Sequence, residues 1–194
     1  MLDVANSLGR IFKVPSMPLV QTLTPREKEN EPENTYSGNY GTGEFPFHTD
    51  LAHWYAPPRY FLLRCIVPGA YVKTNLVDYK EIIRGIEPEL LCRSHFLPRK
   101  RLDRSSNLLK IYNDMIFRWD SVFIGPANKL AKELQLIVTE KISSVQSEAV
   151  FLGHAGDCLL IDNWRMLHGR SSVGNIDMNR KIERVYFNEV NFER

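Results

Sequence analysis

The chain of 194 residues lacks several features that would assign it to a specialised class of protein. It has three cysteines and no Cys-x-x-Cys pair, which argues against a disulfide scaffold and against a cysteine-rich zinc site. Neither sign of charge dominates, since 25 basic and 23 acidic side chains leave a formal net charge of +2. Composition therefore does not indicate nucleic acid or an anionic membrane as an obligatory partner.

Long hydrophobic runs and internal repeats are missing as well. No segment reaches the roughly 20 apolar residues of a membrane-spanning helix. The first residues, MLDVANSLGRIFKVP, have neither the basic start nor the apolar run of a secretory signal. With 43% hydrophobic residues, the composition suits one globular domain over residues 1–194. We therefore expect a single soluble, cytoplasmic domain without a membrane partner, and leave open whether it forms a homo-oligomer.

One segment departs from this globular pattern. Residues 25–43, PREKENEPENTYSGNYGTG, are polar and rich in proline, glycine, asparagine and glutamate. They show no apolar period that would pack them into a core, which predicts a mobile loop. Such a loop is either a plain linker or a lid over a site, and the sequence leaves both alternatives open.

The rest of the chain alternates between strand-like and helix-like patterns. The apolar run YFLLRCIV at 60–67 predicts a buried strand, and CLLID at 158–162 and ERVYFNEV at 183–190 predict further strands. Pro126 opens an amphipathic helix whose apolar residues recur at steps of three and four as far as Val145. Short strands around one good helix predict a mainly β domain with packed helices.

The first candidate for chemistry lies in the peptide FPFHTDLAHWYAPPRY. His48 and Asp50 are two residues apart, so on an extended chain both side chains leave the same face and can bind one ion together. A second histidine would complete the two-histidine, one-carboxylate ligand set of non-haem Fe(II) oxygenases. Alone, the pair is a weak signal, because a histidine hydrogen-bonded at a strand end explains His48 as well.

A second cluster lies far downstream, in GDCLLIDNWRMLHGRSSVGNIDMNRKIERVY. His168 follows a buried-looking strand, and Arg180 and Arg184 come after it, four residues apart. In an extended segment these two arginines share a face, where they could clamp carboxylates in a bidentate way. The alternative is a solvated strand face with its charges in water.

Taken together, the two clusters resemble the taurine dioxygenase and clavaminate synthase-like family of Fe(II)- and 2-oxoglutarate-dependent oxygenases. The resemblance rests on the order His-Thr-Asp before Pro-Pro, then Gly-Asp-x-Leu-Leu-Ile-Asp-Asn-x-Arg-x-Leu-His-Gly-Arg, then Arg-x-x-x-Arg, over residues 40–80 and 150–190. It implies a double-stranded β-helix of the jelly-roll type that holds iron at one end of the barrel.

The resemblance also implies roles for individual residues. Arg180 matches the arginine that pairs with the distal carboxylate of 2-oxoglutarate, and Thr74 matches a threonine that hydrogen-bonds the same group. Arg184 stands where several relatives hold an anionic group of the substrate, although a structural role remains the alternative. His53 is a candidate for substrate contact or, alternatively, a packing histidine. The matched iron ligands are His48, Asp50 and His168.

The implied activity is oxidation of an unactivated C–H bond in a small anionic or amino-acid-like substrate. Fe(II), 2-oxoglutarate and O₂ would be required, and succinate and CO₂ would be the co-products. The carboxylate of Asp50 favours hydroxylation or a related oxidation over halogenation, because halogenases of this superfamily have a small residue at that position.

Two alternatives stay open. The first is a catalytically idle jelly-roll binding module with a vestigial metal site. The second is an oxygenase that acts on nucleic acid or on a carrier-bound substrate. This second alternative rests only on the basic stretch 93–104, which is more often a solvated loop.

Overall fold

The structure is a computed structural model that describes residues 1–15, 17–99, 108–113 and 115–191. Its helices are α1 (Leu2–Leu8), α2 (Tyr36–Tyr40), α3 (Tyr79–Ile83), α4 (Pro88–Arg93) and α5 (Lys129–Ser144). Its strands are β1 (Gly9–Phe12), β2 (Gln21–Leu23), β3 (Phe45–His48), β4 (Tyr60–Val67), β5 (Lys73–Asp78), β6 (Phe96–Pro98), β7 (Ile124–Pro126), β8 (Glu148–Phe151), β9 (Cys158–Asp162), β10 (Met166–Arg170) and β11 (Lys181–Val190).

Two antiparallel sheets form the body of the protein. The first has the order β1-β11-β4-β9, with β2 also paired to β11. The second has the order β3-β10-β5-β8. Neighbours in each sheet come from distant parts of the sequence, so the early strands β3 and β4 are completed only by the late strands β10 and β11.

Alternation along the strands places one face of each sheet in a shared core. Ile182 and Tyr186 of β11 pack in one apolar cluster with Phe61 of β4 and Leu76 of β5, which joins the inner faces of the two sheets. Val185, between the inward residues of β11, belongs to a different cluster on the outer face. The inner faces are therefore the walls of a narrow barrel.

Helices cover the outer faces. Leu134 and Val138 of α5 pack with Val77 of β5 and Leu167 of β10, the outward residues of the second sheet. The helix α1 covers the first sheet through Ala5, which is fully buried. The result is a sheet pair with helices on both sides, and the expected mainly β, double-stranded β-helix fold is confirmed.

Two expectations from the sequence meet a different local structure. The helix α5 begins at Lys129 rather than at Pro126, because Pro126 belongs to β7 and the Asn128 side chain caps the helix by accepting from the Ala131 N–H. The segment 25–43 contains a 3-10 turn and α2, which is capped by Thr35. Its mobility stays a prediction.

Within the described residues, no helix has the length and apolar character needed to cross a bilayer.

The packing of α5 makes a testable prediction about stability. Leu134 is fully buried, whereas Leu136 in the same helix is 73% exposed. We expect Leu134→Ala to lower the free energy of unfolding by about 2–5 kcal/mol because it leaves a cavity. Leu136→Ala should change it by less than about 0.5 kcal/mol. Urea denaturation of both variants provides the measurement, and equal effects would contradict the packing described.

Candidate metal centre

Strand pairing brings two distant histidines together. His48 is the last residue of β3 and lies directly opposite His168 of β10. Residues directly opposite in an antiparallel pair project to the same side of the sheet. On β5, Leu76 lies opposite His168 and belongs to the core between the sheets. Both imidazoles therefore project into the barrel.

Asp50 completes the cluster. Its Oδ1 lies 3.7 Å from His48 Nε2 and 3.6 Å from His168 Nε2, and the two imidazole centroids are 4.2 Å apart. One ligand atom from each of these three residues lies within 4.8 Å of the others, and all three residues are buried. Two neutral nitrogens and one carboxylate oxygen converging on a common point are a suitable facial ligand set for Fe(II).

The surroundings of both histidines suit metal ligation through Nε2. His48 Nδ1 lies 2.8 Å from the carbonyl oxygen of Pro46, so Nδ1–H donates there and the Nε2 lone pair faces Asp50. Burial and the neighbouring His48 lower the pKa of His168 to about 4. The Nδ1 of His168 has no hydrogen-bond partner in the described part of the chain, and its ring packs on Phe61 at 4.8 Å between centroids.

The two oxygens of Asp50 have separate partners. Oδ2 accepts from Arg184 Nη1 at 2.8 Å and from the Tyr186 hydroxyl at 2.9 Å. Oδ1 is the oxygen that faces the two histidines. Burial by itself would raise the pKa of Asp50. Arg184 and the adjacent His168 outweigh burial and hold this pKa well below its usual range. The carboxylate is therefore ionised and oriented for one-oxygen ligation.

Asn163 fixes the backbone of the same residue. Its Oδ1 accepts from the Asp50 N–H at 2.7 Å, and its Nδ2 donates to the carbonyl oxygens of Asp50 and Pro58, each at 3.0 Å. The Asn163 side chain is fully buried. The residue after Asp50, Leu51, has a φ of 55°, the only positive value among the described non-glycine residues. These three hydrogen bonds of Asn163, which we call the Asn163 clamp, therefore hold Asp50 at the point where the chain turns sharply.

Arg118 secures the turn that follows. Its guanidinium donates to the carbonyl oxygens of Ala52 at 3.1 Å and Tyr55 at 3.0 Å, and also to that of Trp54. Burial lowers the pKa of Arg118 to about 10. Three carbonyls bound by one buried cation hold this turn in one conformation, and the turn adjoins the candidate metal ligand Asp50.

Arg180 lies in a second polar region of the barrel. It is only 9% exposed, and burial lowers its pKa even though Cys65 and Asp177 act to raise it. Gly69 passes so close that a Cβ on it would lie 3.0 Å from Arg180 Cδ. The Asp177 carboxylate accepts from the N–H groups of Ala70 and Tyr71, which fastens this turn beside Arg180.

Thr74 lies close to the same region. It is buried in β5 and lies opposite Arg170, which projects inward on β10 two positions after His168. Arg180 lies near enough to Arg170 to lower the pKa of the Arg170 guanidinium, although burial of Arg170 is the larger cause. Arg180 and Thr74 thus each neighbour Arg170, and a buried guanidinium such as that of Arg180 is a suitable receptor for a carboxylate.

The structure gives Arg184 partners that the sequence did not indicate. Its guanidinium binds Asp50 and also donates to Gln21 Oε1 at 2.8 Å. These contacts favour a positioning role for Arg184, while its predicted contact with substrate stays a prediction. The same is true of His53, whose half-buried ring lies 5.7 Å from the ring of Phe123.

Several residues of this region carried no recognisable signal. Tyr186 follows Arg184 by two positions on one strand, a spacing that could have indicated a shared face. Asn163 belongs to the motif that the sequence singled out, but nothing local shows its partner. Tyr36, from the supposed loop, stacks on His48 with centroids 4.0 Å apart. In the basic stretch, residues 100–107 lie outside the described residues.

The Asn163 clamp generates a prediction about metal affinity. We expect Asn163→Ala to weaken Fe(II) or Zn(II) binding about 10–100-fold, because the Asp50 ligand loses its orientation. Asn128→Ala is a matched control, since this asparagine also bonds to backbone groups but caps α5. The control should cost about 1 kcal/mol of stability without changing metal affinity. Competition with a chromophoric chelator measures the affinities, and equal values in both variants would contradict the clamp.

Comparison with known proteins gives related sequences and folds, although no family model matches the chain. Human γ-butyrobetaine dioxygenase is 25% identical over 179 residues, which covers 76% of this chain and 45% of that protein. The orthologue from Pongo abelii gives the same values. The chain thus spans less than half the length of the curated relatives it matches.

Solved structures show the same fold. A non-haem iron oxygenase, OrfP, in complex with Fe and α-ketoglutaric acid gives a TM-score of 0.70 at 19% identity, covering 93% of this chain and 61% of that one. Asparagine oxygenase in complex with Fe(II), 3-hydroxyasparagine and succinate gives 0.66 at 16% identity, covering 87% and 56%. This chain is thus similar in sequence to γ-butyrobetaine dioxygenase and has the fold of these two non-haem iron oxygenases.

Proposed function

We propose that this protein is an Fe(II)- and 2-oxoglutarate-dependent dioxygenase. The observation that carries the proposal is the convergence of His48, Asp50 and His168 on one point inside the barrel. The donor set fits iron because both nitrogens are available and the carboxylate is ionised with one oxygen already bound by Arg184. A vestigial site would be expected to have lost a ligand, so the complete set argues against an idle binding module.

Iron with 2-oxoglutarate supplies, when bound, the oxidation of an unactivated C–H bond by O₂ with release of succinate and CO₂. The residues of this chain hold the three candidate iron ligands in place. Asn163 and Arg118 keep the segment after His48 rigid, and Arg184 and Tyr186 bind one oxygen of Asp50 so that the other faces the histidines. Side chains held rigidly in this way would keep a bound Fe(II) in one place.

The co-substrate site in this proposal is the region around Arg180. Its guanidinium is buried and acts on Arg170, which lies opposite the hydroxyl-bearing residue Thr74 on the neighbouring strand. Burial strengthens the attraction between a guanidinium and a carboxylate, since the surrounding dielectric is low. We assign the distal carboxylate of 2-oxoglutarate to Arg180, with Thr74 as a further donor.

The proposed substrate is a small anionic or amino-acid-like molecule, and the expected outcome is hydroxylation or a related oxidation. Small molecules of this kind occur in the names or complexes of relatives in sequence and fold, namely γ-butyrobetaine, asparagine and hydroxyarginine. Oxidation of nucleic acid or of a carrier-bound substrate has no support in the described residues.

The proposal predicts a spectroscopic signal. Anaerobic addition of Fe(II) and 2-oxoglutarate should produce a visible charge-transfer band, and His48→Ala and His168→Ala should each abolish it. Replacement of the exposed His154, which is remote from the three ligands, is the control and should leave the band intact. The proposal is wrong if no band forms, or if the band persists without either ligand. A band without succinate formation in O₂ would instead indicate a binding module.

Arg180 provides a second prediction. Arg180→Lys should weaken 2-oxoglutarate binding at least about tenfold, because an ammonium cannot reproduce the bidentate contact of a guanidinium. Metal affinity should stay unchanged. Arg165→Lys is the control, since Arg165 pairs with Asp78 at the protein surface. Titration of the charge-transfer band with 2-oxoglutarate gives the affinity of each variant for 2-oxoglutarate, and competition with a chromophoric chelator gives its metal affinity. An unaltered 2-oxoglutarate affinity in Arg180→Lys would remove this assignment.

A further inference from the structure

A group of aromatic rings leads away from the metal ligands on the His48 side. Tyr36 stacks on His48 and meets Phe123 edge-on, with 5.5 Å between the ring centroids. Phe123 in turn lies 5.7 Å from the ring of His53. We call these rings the aromatic wall. They come from three separate segments of the chain and become neighbours only in the folded protein.

A buried carboxylate lies beside this wall. Asp120 is 2% exposed, and its Oδ1 accepts from the N–H groups of Val122 at 2.7 Å and Phe123 at 2.8 Å. These bonds fix the orientation of the carboxylate. The preceding residue, Trp119, is hydrogen-bonded to the segment between His48 and Asp50, because the Thr49 N–H donates to the Trp119 carbonyl at 2.8 Å.

Asp120 has no permanent counter-charge. In the described ranges, no lysine or arginine forms an ion pair with it. Burial raises the pKa of Asp120, while His48 and the hydrogen bonds from Phe123, Tyr36 and Val122 act to lower it. A buried carboxylate without a counter-charge is costly, and such groups cluster at functional sites.

Two further polar atoms in the same wall have unused bonding capacity. His53 Nδ1 is buried and has no hydrogen-bond partner in the part of the chain that the structure describes, and the buried Tyr36 hydroxyl faces the Asp120 carboxylate with its oxygen lone pairs still able to accept. The Asp120 carboxylate lies near enough to raise the pKa of Tyr36, although burial is the larger cause. Burial lowers the pKa of His53, which favours the neutral ring with a nitrogen able to accept.

We infer that Asp120, with the Tyr36 hydroxyl and His53 Nδ1 around Phe123, forms a subsite for an ammonium or guanidinium group of the substrate. The inference rests on the proposed function, since it takes the neighbouring triad to be the reacting centre. All three groups can accept hydrogen bonds, and one carries negative charge, so together they select a cation that bears N–H donors. A quaternary ammonium lacks these donors and satisfies none of the acceptors.

The test measures cation binding without turnover. Zn(II)-loaded protein with 2-oxoglutarate is titrated calorimetrically with L-arginine, L-lysine, 4-aminobutyrate and its N-trimethyl derivative. At least one of the three N–H cations should bind, and Asp120→Asn should weaken that binding about 10–100-fold. Asparagine retains the oxygen that accepts from Val122 and Phe123, so this variant removes charge while keeping the local turn. The N-trimethyl derivative should bind more weakly than 4-aminobutyrate.

Two variants serve as controls. Asp78→Asn alters another carboxylate that also accepts from a backbone N–H, that of Lys80, and it should leave the affinity for the cation unchanged. Tyr36→Phe keeps the ring on His48 but removes the hydroxyl, so it should weaken cation binding several-fold while metal affinity is retained.

The inference is overturned if no N–H cation of the panel binds, or if Asp120→Asn binds as tightly as the natural protein. Failure of the proposed function gives a different result. In that case the charge-transfer band is absent, while cation binding that depends on Asp120 can still be measured in the metal-free protein.

Discussion

The burial of one carboxylate is the constraint on which the rest of the metal centre depends. Asp50 is 7% exposed, and an ionised group at that depth is stable only with compensating charge and hydrogen bonds. Arg184 and Tyr186 provide them at one oxygen, and Asn163 binds the backbone. The negative charge that attracts a metal is thus maintained by residues that the metal never needs to touch.

The sheet order explains why these partners can meet. Tyr186 and Arg184 reach Asp50 from the first sheet, whereas the two histidines belong to the second. The carboxylate therefore lies between the sheets and is bound from both sides. Helix α5 and its neighbours pack only on the outer face, so they support the barrel without contributing a ligand.

Much of this arrangement could be predicted from local pattern. The strand at 60–67 and the strand at 158–162 have the bounds that their apolar runs indicated. Spacing and motif order also selected the three residues that the structure brings together. These features succeed because alternation and ligand spacing are properties of a few adjacent residues.

The remaining features depend on contacts between distant residues. Nothing near Asn163 shows that its amide binds Asp50, since these residues are 113 positions apart and meet only in the folded barrel. The polar segment containing Tyr36 gives no apolar period, yet its ring packs on His48. Asp120 is an ordinary turn residue in the sequence, and only burial distinguishes it.

The pairing of His48 with His168 has a consequence for how the protein matures. Because β3 and β10 are far apart in sequence, their histidines become neighbours only after the late strands have joined the early ones. An unfinished chain therefore has no tight site for a divalent ion. Any ion that binds the complete barrel stabilises that state by mass action. Metal supply would then influence the lifetime of the protein in the cell as well as its chemistry.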